Sequence, residues 1–156
     1  MKKEVKDAGL QEPDLRGFEC DTSSEEMVTK TWDQIVKDFG TVDVLVTNAG
    51  LTGGSPAEEY DFNEWRKLID VNLNGTFLFA RAAGKHMKEN KVKGSIIMVS
   101  SMSGWIVNRP QKQSAYNTVS CSRAAMLSHL RMPQASHKLR VGYPLTRRSP
   151  KPQLVT

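Results

Sequence analysis

The chain has 156 residues, enough for about one domain with its own core. Its 38% apolar content is low for a compact globule, which implies that part of the chain lies outside the core. The net charge of +5 is unevenly spread: residues 1–130 hold 16 Lys/Arg against 17 Asp/Glu, whereas residues 131–156 hold six basic residues and no acid.

That distribution removes the strongest argument for a nucleic-acid binder, because the basicity belongs to a tail and not to a folded face. The tail carries Pro133, Pro144, Pro150 and Pro152 and almost no apolar periodicity, so it reads as disordered. No aromatic interleaving or recognition motif accompanies it, and specific nucleic-acid binding is not expected. Two cysteines, Cys20 and Cys121, cannot build a disulfide framework and read as reduced thiols. No apolar run reaches the ~18 residues of a membrane span, and "MKKEVKDAGL" lacks the apolar core of a signal peptide. A cytoplasmic protein that neither enters a membrane nor uses a metal is the expectation.

In chain order, residues 3–9 read as the end of a helix, followed by a short strand around Leu15–Cys20. "DTSSEEMVTKTWDQIVKDFG" (21–40) is an amphipathic helix: Ser23 and Glu26 form a capping-box pair, Val28, Trp32, Ile35, Val36 and Phe39 recur at helical spacing, and Gly40 closes it. "VDVLVTNAG" (42–50) is an apolar, valine-rich run too short for a helix, the pattern of a parallel strand buried on both faces. The loop "LTGGSPAEEYD" leads to a long helix from about Asn63 to His86. "GSIIMVSS" is a second buried strand, and a helix bearing Tyr116 follows. This alternation predicts a right-handed α/β wound fold.

Three segments could carry chemistry. "TNAG" (Thr47–Gly50) ends a buried strand, where open α/β sheets bind ligands and small residues let a ring or ribose approach the backbone. An ordinary strand-to-helix turn would look the same, and Gly50, Gly53 and Gly54 do not have phosphate-cradle spacing. "DVNLNGTF" (70–77) sets two asparagines and a glycine inside an apolar helix, each unfavourable by a few tenths to ~1 kcal/mol against alanine. Either a kink or close packing at Gly75 explains it, or the helix opens to present a polar group to a site. "VSSMSG" (99–104) ends the next strand in serines, which could simply cap the following segment; Tyr116 stands 15 residues after Ser101.

Taken together, "CDTS", "VDVLVTNAG", "DVNLNGTF", "GSIIMVSSMSG" and "SAYN" resemble the short-chain dehydrogenase/reductase family, in its order and at its spacing, from about residue 3 to residue 130. The wording "SSMSGWIVNRPQKQSAYN" is most similar to fungal NADP-dependent mannitol dehydrogenases and sorbose reductases. The resemblance implies an incomplete Rossmann-like, doubly wound parallel sheet (family strands three, four and five with their flanking helices) over 1–130, followed by the basic tail 131–156. It implies hydride transfer between NADP, or NAD, and the CH–OH or C=O group of a polyol or ketose. Tyr116 would exchange a proton with the substrate oxygen, Ser101 would hydrogen-bond that oxygen as charge develops, and Asn72 would hold a water. Asn48, Ala49 and Gly50 would line the cofactor, which Tyr116 would also meet, and Asp21 would meet its adenine; Thr47 replaces an asparagine of the family turn.

The resemblance also exposes departures. A phenol with a pKa near 10 is a poor base at neutral pH, and the family supplies a lysine four residues after its tyrosine. Here that place is Ser120. If residues 119–121 are an insertion, Arg123 takes the lysine's place; on a continuous helix it sits about 10.5 Å along the axis instead of about 6 Å. Arginine could lower the phenol's pKa without relaying a proton. The family's first strand, glycine-rich phosphate turn and second strand have no counterpart here, which would leave a gap of ~14 Å between the strand at 15–20 and the one at 42–46. The expectation is therefore an N-terminally truncated chain with a divergent C-terminus and an impaired site. Two other readings stand beside it: an enzyme that obtains its phosphate cradle from another chain, and a non-catalytic partner that pairs with full-length relatives, or with itself, through the long helix around Phe77, Leu78 and Phe79.

Overall fold

The computed structural model describes residues 13–104 and 114–126. The expected helix at residues 3–9 and the tail 131–156 lie outside them. The described part is an α/β unit with a parallel sheet: α1 (Glu25–Phe39), β1 (Val44–Thr47), α2 (Phe62–Ile69), α3 (Gly75–Glu89), β2 (Ser95–Met98) and α4 (Ser114–Met126).

Helix α1 forms where its apolar periodicity predicted, but its cap is one residue later than expected. Ser24, not Ser23, is the N-cap, and its hydroxyl accepts the Met27 N–H at 3.3 Å. Ser23 is drawn away by Asp21, whose carboxylate accepts both the Ser23 N–H (2.9 Å) and its hydroxyl (2.6 Å). At the other end Gly40 takes φ 78°, the left-handed conformation glycine adopts without strain, and its N–H bonds the Val36 carbonyl.

β1 and β2 pair in parallel, with Val44 beside Ser95 and Thr47 beside Met98. Two sequence expectations are corrected here. Residues 15–20 form no strand: a strand persists only when a neighbour satisfies its backbone groups, and the two-stranded sheet does not reach this segment. Nor is β1 buried on both faces. Ile96 and Met98 of β2 and Leu45 of β1 pack into the core, whereas Val44 and Val46 are 56% and 52% exposed. Only one face of the sheet is covered by helices within the described residues.

The covering layer comes from α1 and α3. Trp32, Ala80, Ala83, Met87, Ile96 and Met98 form the main core. His86 joins it at the edge, meeting Trp32 edge-to-face at 5.9 Å and accepting the Val42 N–H through Nε2 at 3.4 Å. A second cluster of Leu68, Ala115 and Val119, with Tyr60, Trp65, Ile69, Leu73 and Tyr116 against it, seats α4 on α2.

The long helix predicted from 63 to 86 is real but interrupted. Between α2 and α3, Asp70–Asn74 is wound as a π turn, with the Gly75 N–H reaching the Asp70 carbonyl five residues back. The unfavourable residues of "DVNLNGTF" coincide with this widening. Gly75 has a packing reason as well: a Cβ there would lie 2.6 Å from the Thr22 carbonyl oxygen.

Candidate active site

Four pieces meet at the C-terminal ends of the two strands. The turn Asn48–Gly50 leaves β1, the serines follow β2, the π turn crosses beneath, and α4 packs on the turn after β2.

Asn72 is the best-defined of these residues. It is 1% exposed, and its amide holds both backbone groups of Leu51: Oδ1 accepts the Leu51 N–H at 2.7 Å and Nδ2 donates to the Leu51 carbonyl at 2.8 Å. Gly50 lies against the same side chain, since a Cβ on it would meet Oδ1 at 3.4 Å. Asn72 thus fixes the turn expected to line a cofactor. Both ends of its side-chain amide are engaged by the backbone of Leu51.

Asn48 and Ala49 line a cleft of about 150 Å³, together with Thr22, Thr47, Val71 and Gly75. Ligand pockets usually measure about 300–1,000 Å³, so this cleft has room for part of a dinucleotide, such as one flat ring, and not the whole. Asp21 is next to Thr22 but fully exposed. The Ser23 hydroxyl, then the Ser23 N–H, hold its carboxyl below the usual carboxylate range, with the Lys67 charge adding to the effect. Larger hollows lie along α1, at about 550 Å³, and between α1 and α3, at about 490 Å³; they are lined by charged side chains such as Lys30, Asp33 and Glu89, remote from Tyr116 and Ser101. They carry none of the chemistry.

Ser101 accepts the Ser103 N–H through Oγ at 3.2 Å, and its carbonyl accepts the Gly104 N–H, so it does cap the short turn Met102–Gly104. Capping fixes the hydroxyl's position at the strand end. Tyr116 lies half-buried in the cluster with Leu68 and Val119, on the first turn of α4.

The helix is continuous from Ser114 to Met126, with no bulge at 119–121. Ser120 therefore holds the place one turn after Tyr116. It is 4% exposed, its hydroxyl donates to the Tyr116 carbonyl at 2.8 Å, and its own carbonyl accepts the Ser100 hydroxyl at 2.6 Å. Arg123 falls two turns after Tyr116, and its side chain lies outside what the structure describes.

Thr22, Leu51, Val71 and Ser100 were not singled out from the sequence. Thr22 had a signal, standing directly beside Asp21; Ser100 had one too, as the unassigned serine of "VSS". Leu51 contributes only backbone, which no side-chain pattern reveals.

Known proteins resemble this chain in sequence and in fold. Residues 1–143 match the short chain dehydrogenase family. The chain belongs to that family. Short-chain dehydrogenases similar to it include sorbose reductase of Candida albicans, 38% identical over 84% of this chain and 49% of that protein. NADP-dependent mannitol dehydrogenase of Alternaria alternata is 39% identical over 66% of this chain and 38% of that protein. Among solved short-chain dehydrogenase folds, NAD+-bound xylitol dehydrogenase superposes with a TM-score of 0.68 at 31% identity, covering 81% of this chain and 46% of that one. The chain spans less than half the length of each of these relatives. Among the described residues no helix is long and apolar enough to cross a membrane, and no three His, Cys, Asp or Glu side chains cluster as a metal site would require.

Proposed function

We propose that this chain is an oxidoreductase of the short-chain dehydrogenase type, working between NADP(H) or NAD(H) and the CH–OH or C=O group of a polyol or ketose, and that its activity is impaired. The bound nicotinamide would supply the hydride. Tyr116 gives the substrate oxygen its proton in the reducing direction and takes it back in the other. Ser101 donates a hydrogen bond to that oxygen as it gains charge. Asn72 acts through the loop: by clamping Leu51 it holds Asn48, Ala49 and Gly50 where a ribose and base can lie against backbone, with Asp21 at the adenine end. The domain proposed to do this is residues 1–130.

The observation that carries the proposal is the Asn72–Leu51 clamp beside a cleft lined by Asn48 and Ala49. Support for the substrate class is the similarity to sorbose reductase and mannitol dehydrogenase. Impairment follows from Ser120: a buried hydroxyl bonded to a backbone carbonyl cannot stabilise a phenolate as an ammonium would. Arg123, two turns after Tyr116 in the helix, cannot relay a proton at working pH. Fluorescence titration with NADPH tests the reading. Saturable binding that weakens when Asn72 is replaced by alanine supports it; absence of binding refutes it.

A second reading rests on a separate observation. Phe62 and Phe77 are 62% and 45% exposed on α2 and α3, with Arg66 and Arg81 stacked over their rings. Helices with such faces suit pairing with another copy or a full-length relative without catalysis. Leu78 and Phe79, which the sequence grouped with Phe77, turn inward instead.

A further inference from the structure

Ser101 and Tyr116, the two groups assigned to the substrate oxygen, belong to different elements, so their separation depends on how α4 is seated against the end of β2. Ser101 is fixed from the strand side by the turn Met102–Gly104, whose Ser103 N–H its hydroxyl accepts at 3.2 Å. Tyr116 is fixed from the helix side, where Leu68, Ala115 and Val119 pack α4 on α2. Apolar packing is non-directional and does not by itself set the register along the helix axis. Ser100 supplies a directional link. Alternation along the extended segment puts Ile96, Met98 and Ser100 on one face, and Ile96 and Met98 are buried there under the helices. The Ser100 hydroxyl donates to the Ser120 carbonyl at 2.6 Å, across 20 positions of sequence. Ser120, itself buried, donates its own hydroxyl to the Tyr116 carbonyl at 2.8 Å. A hydrogen-bonded path thus runs from the residue beside Ser101 to the backbone of the tyrosine.

We propose that Ser100 is a positioning residue: its hydroxyl holds the turn of α4 that follows Tyr116 against the strand end, and so sets the gap between the Ser101 hydroxyl and the Tyr116 phenol in which the substrate oxygen lies. This role presupposes the oxidoreductase function proposed above, and adds to it a residue that acts through Tyr116 without touching substrate or cofactor. Geometry gives Ser100 leverage, because a misplacement of about 1 Å can cost about 100-fold in rate. Its position also makes the effect selective. The loop expected to line the cofactor is held separately, by Asn72 on Leu51. Loss of the Ser100 bond therefore loosens the grip on the substrate oxygen and spares the cofactor. Ser122 offers a contrast on the same helix: its hydroxyl donates to the Thr118 carbonyl at 3.0 Å, a bond within α4 that does not reach the strand.

The test is calorimetric titration of the full chain, first with NADP+ and then with sorbose in the presence of saturating NADP+, a dead-end pair between which no hydride can pass. Ser100→Ala should weaken sorbose binding about tenfold, the worth of one hydrogen bond, and leave the Kd for NADP+ unchanged. Ser100→Thr, which keeps the hydroxyl, should restore the parent value, and Ser122→Ala should match the parent throughout. Ser100→Cys, nearly isosteric but a weak donor, should reproduce the loss should the alanine variant fail to fold. In a Tyr116→Phe background Ser100→Ala should add nothing, because the phenol it positions is gone. Unchanged sorbose affinity in Ser100→Ala, an equal loss for NADP+, no rescue by threonine, or an undiminished effect without the phenol would each overturn the role while leaving the proposed function standing. A parent chain that fails to bind either ligand would refute the function itself, and the role with it.

Discussion

The side-chain amide of Asn72 holds both backbone groups of Leu51, a residue 21 positions earlier in the chain. One side chain in a π turn thereby sets the course of the loop that leaves β1. Replacing Asn72 with aspartate keeps the shape but removes the donor, so a carboxylate would face the Leu51 carbonyl. We expect a loss of about 1–3 kcal/mol, measured by denaturant unfolding, and a similar loss for Asn72→Ala. Amide exchange should quicken at Leu51 in both variants.

Gly75 provides a steric counterpart. A methyl group there meets the Thr22 carbonyl at 2.6 Å, and overpacking of this kind costs about 1–3 kcal/mol. Alanine's helix propensity returns up to ~1 kcal/mol. Gly75→Ala should therefore destabilise on balance, with a fall in thermal midpoint and faster exchange across the turn at 21–24.

Thr47 should behave in the opposite sense. Its buried hydroxyl has no partner among the described residues, and a lone buried polar group costs about 1–3 kcal/mol. Thr47→Val removes that cost while keeping the shape, so the variant should unfold at the same or a higher denaturant concentration than the parent.

Alkali should expose Tyr60. Burial first, then the Glu64 charge, raise its phenol above the ordinary value. A raised folded-state pKa means its contribution is intact below the unfolded value of about 10 and is lost as pH rises through the folded one. The cluster it shares with Trp65, an edge-to-face neighbour at 6.0 Å, should loosen in that window. Tyr60→Phe should retain more of its stability there, as read by Trp fluorescence.

Much of this arrangement was legible because local signals agreed with the fold. Apolar periodicity with Gly40 gave α1, and the valine run gave β1. The polar break in "DVNLNGTF" marked the π turn, although sequence alone left a simple kink equally open. Where reading failed, the deciding interactions were longer range or competing. Leu15–Cys20 has strand composition but no ladder neighbour in the described sheet. Ser23 looked like a cap until the Asp21 carboxylate engaged it. The long helix ran to Glu89 because its stop is Asn90 followed by Lys91 at φ 56°, a left-handed position without the expected glycine. Partial exposure of β1 was hidden for a related reason: a sequence pattern states what a strand is suited to meet, not whether a neighbour covers it.

Steady-state turnover of a ketose such as sorbose with NADPH, compared between this chain and its Tyr116→Phe variant, tests the central claim most directly. The account predicts a rate well below the ~10 s⁻¹ typical of enzymes, abolished by Tyr116→Phe. Turnover at ordinary rates, or a slow rate that survives loss of the phenol, would contradict it.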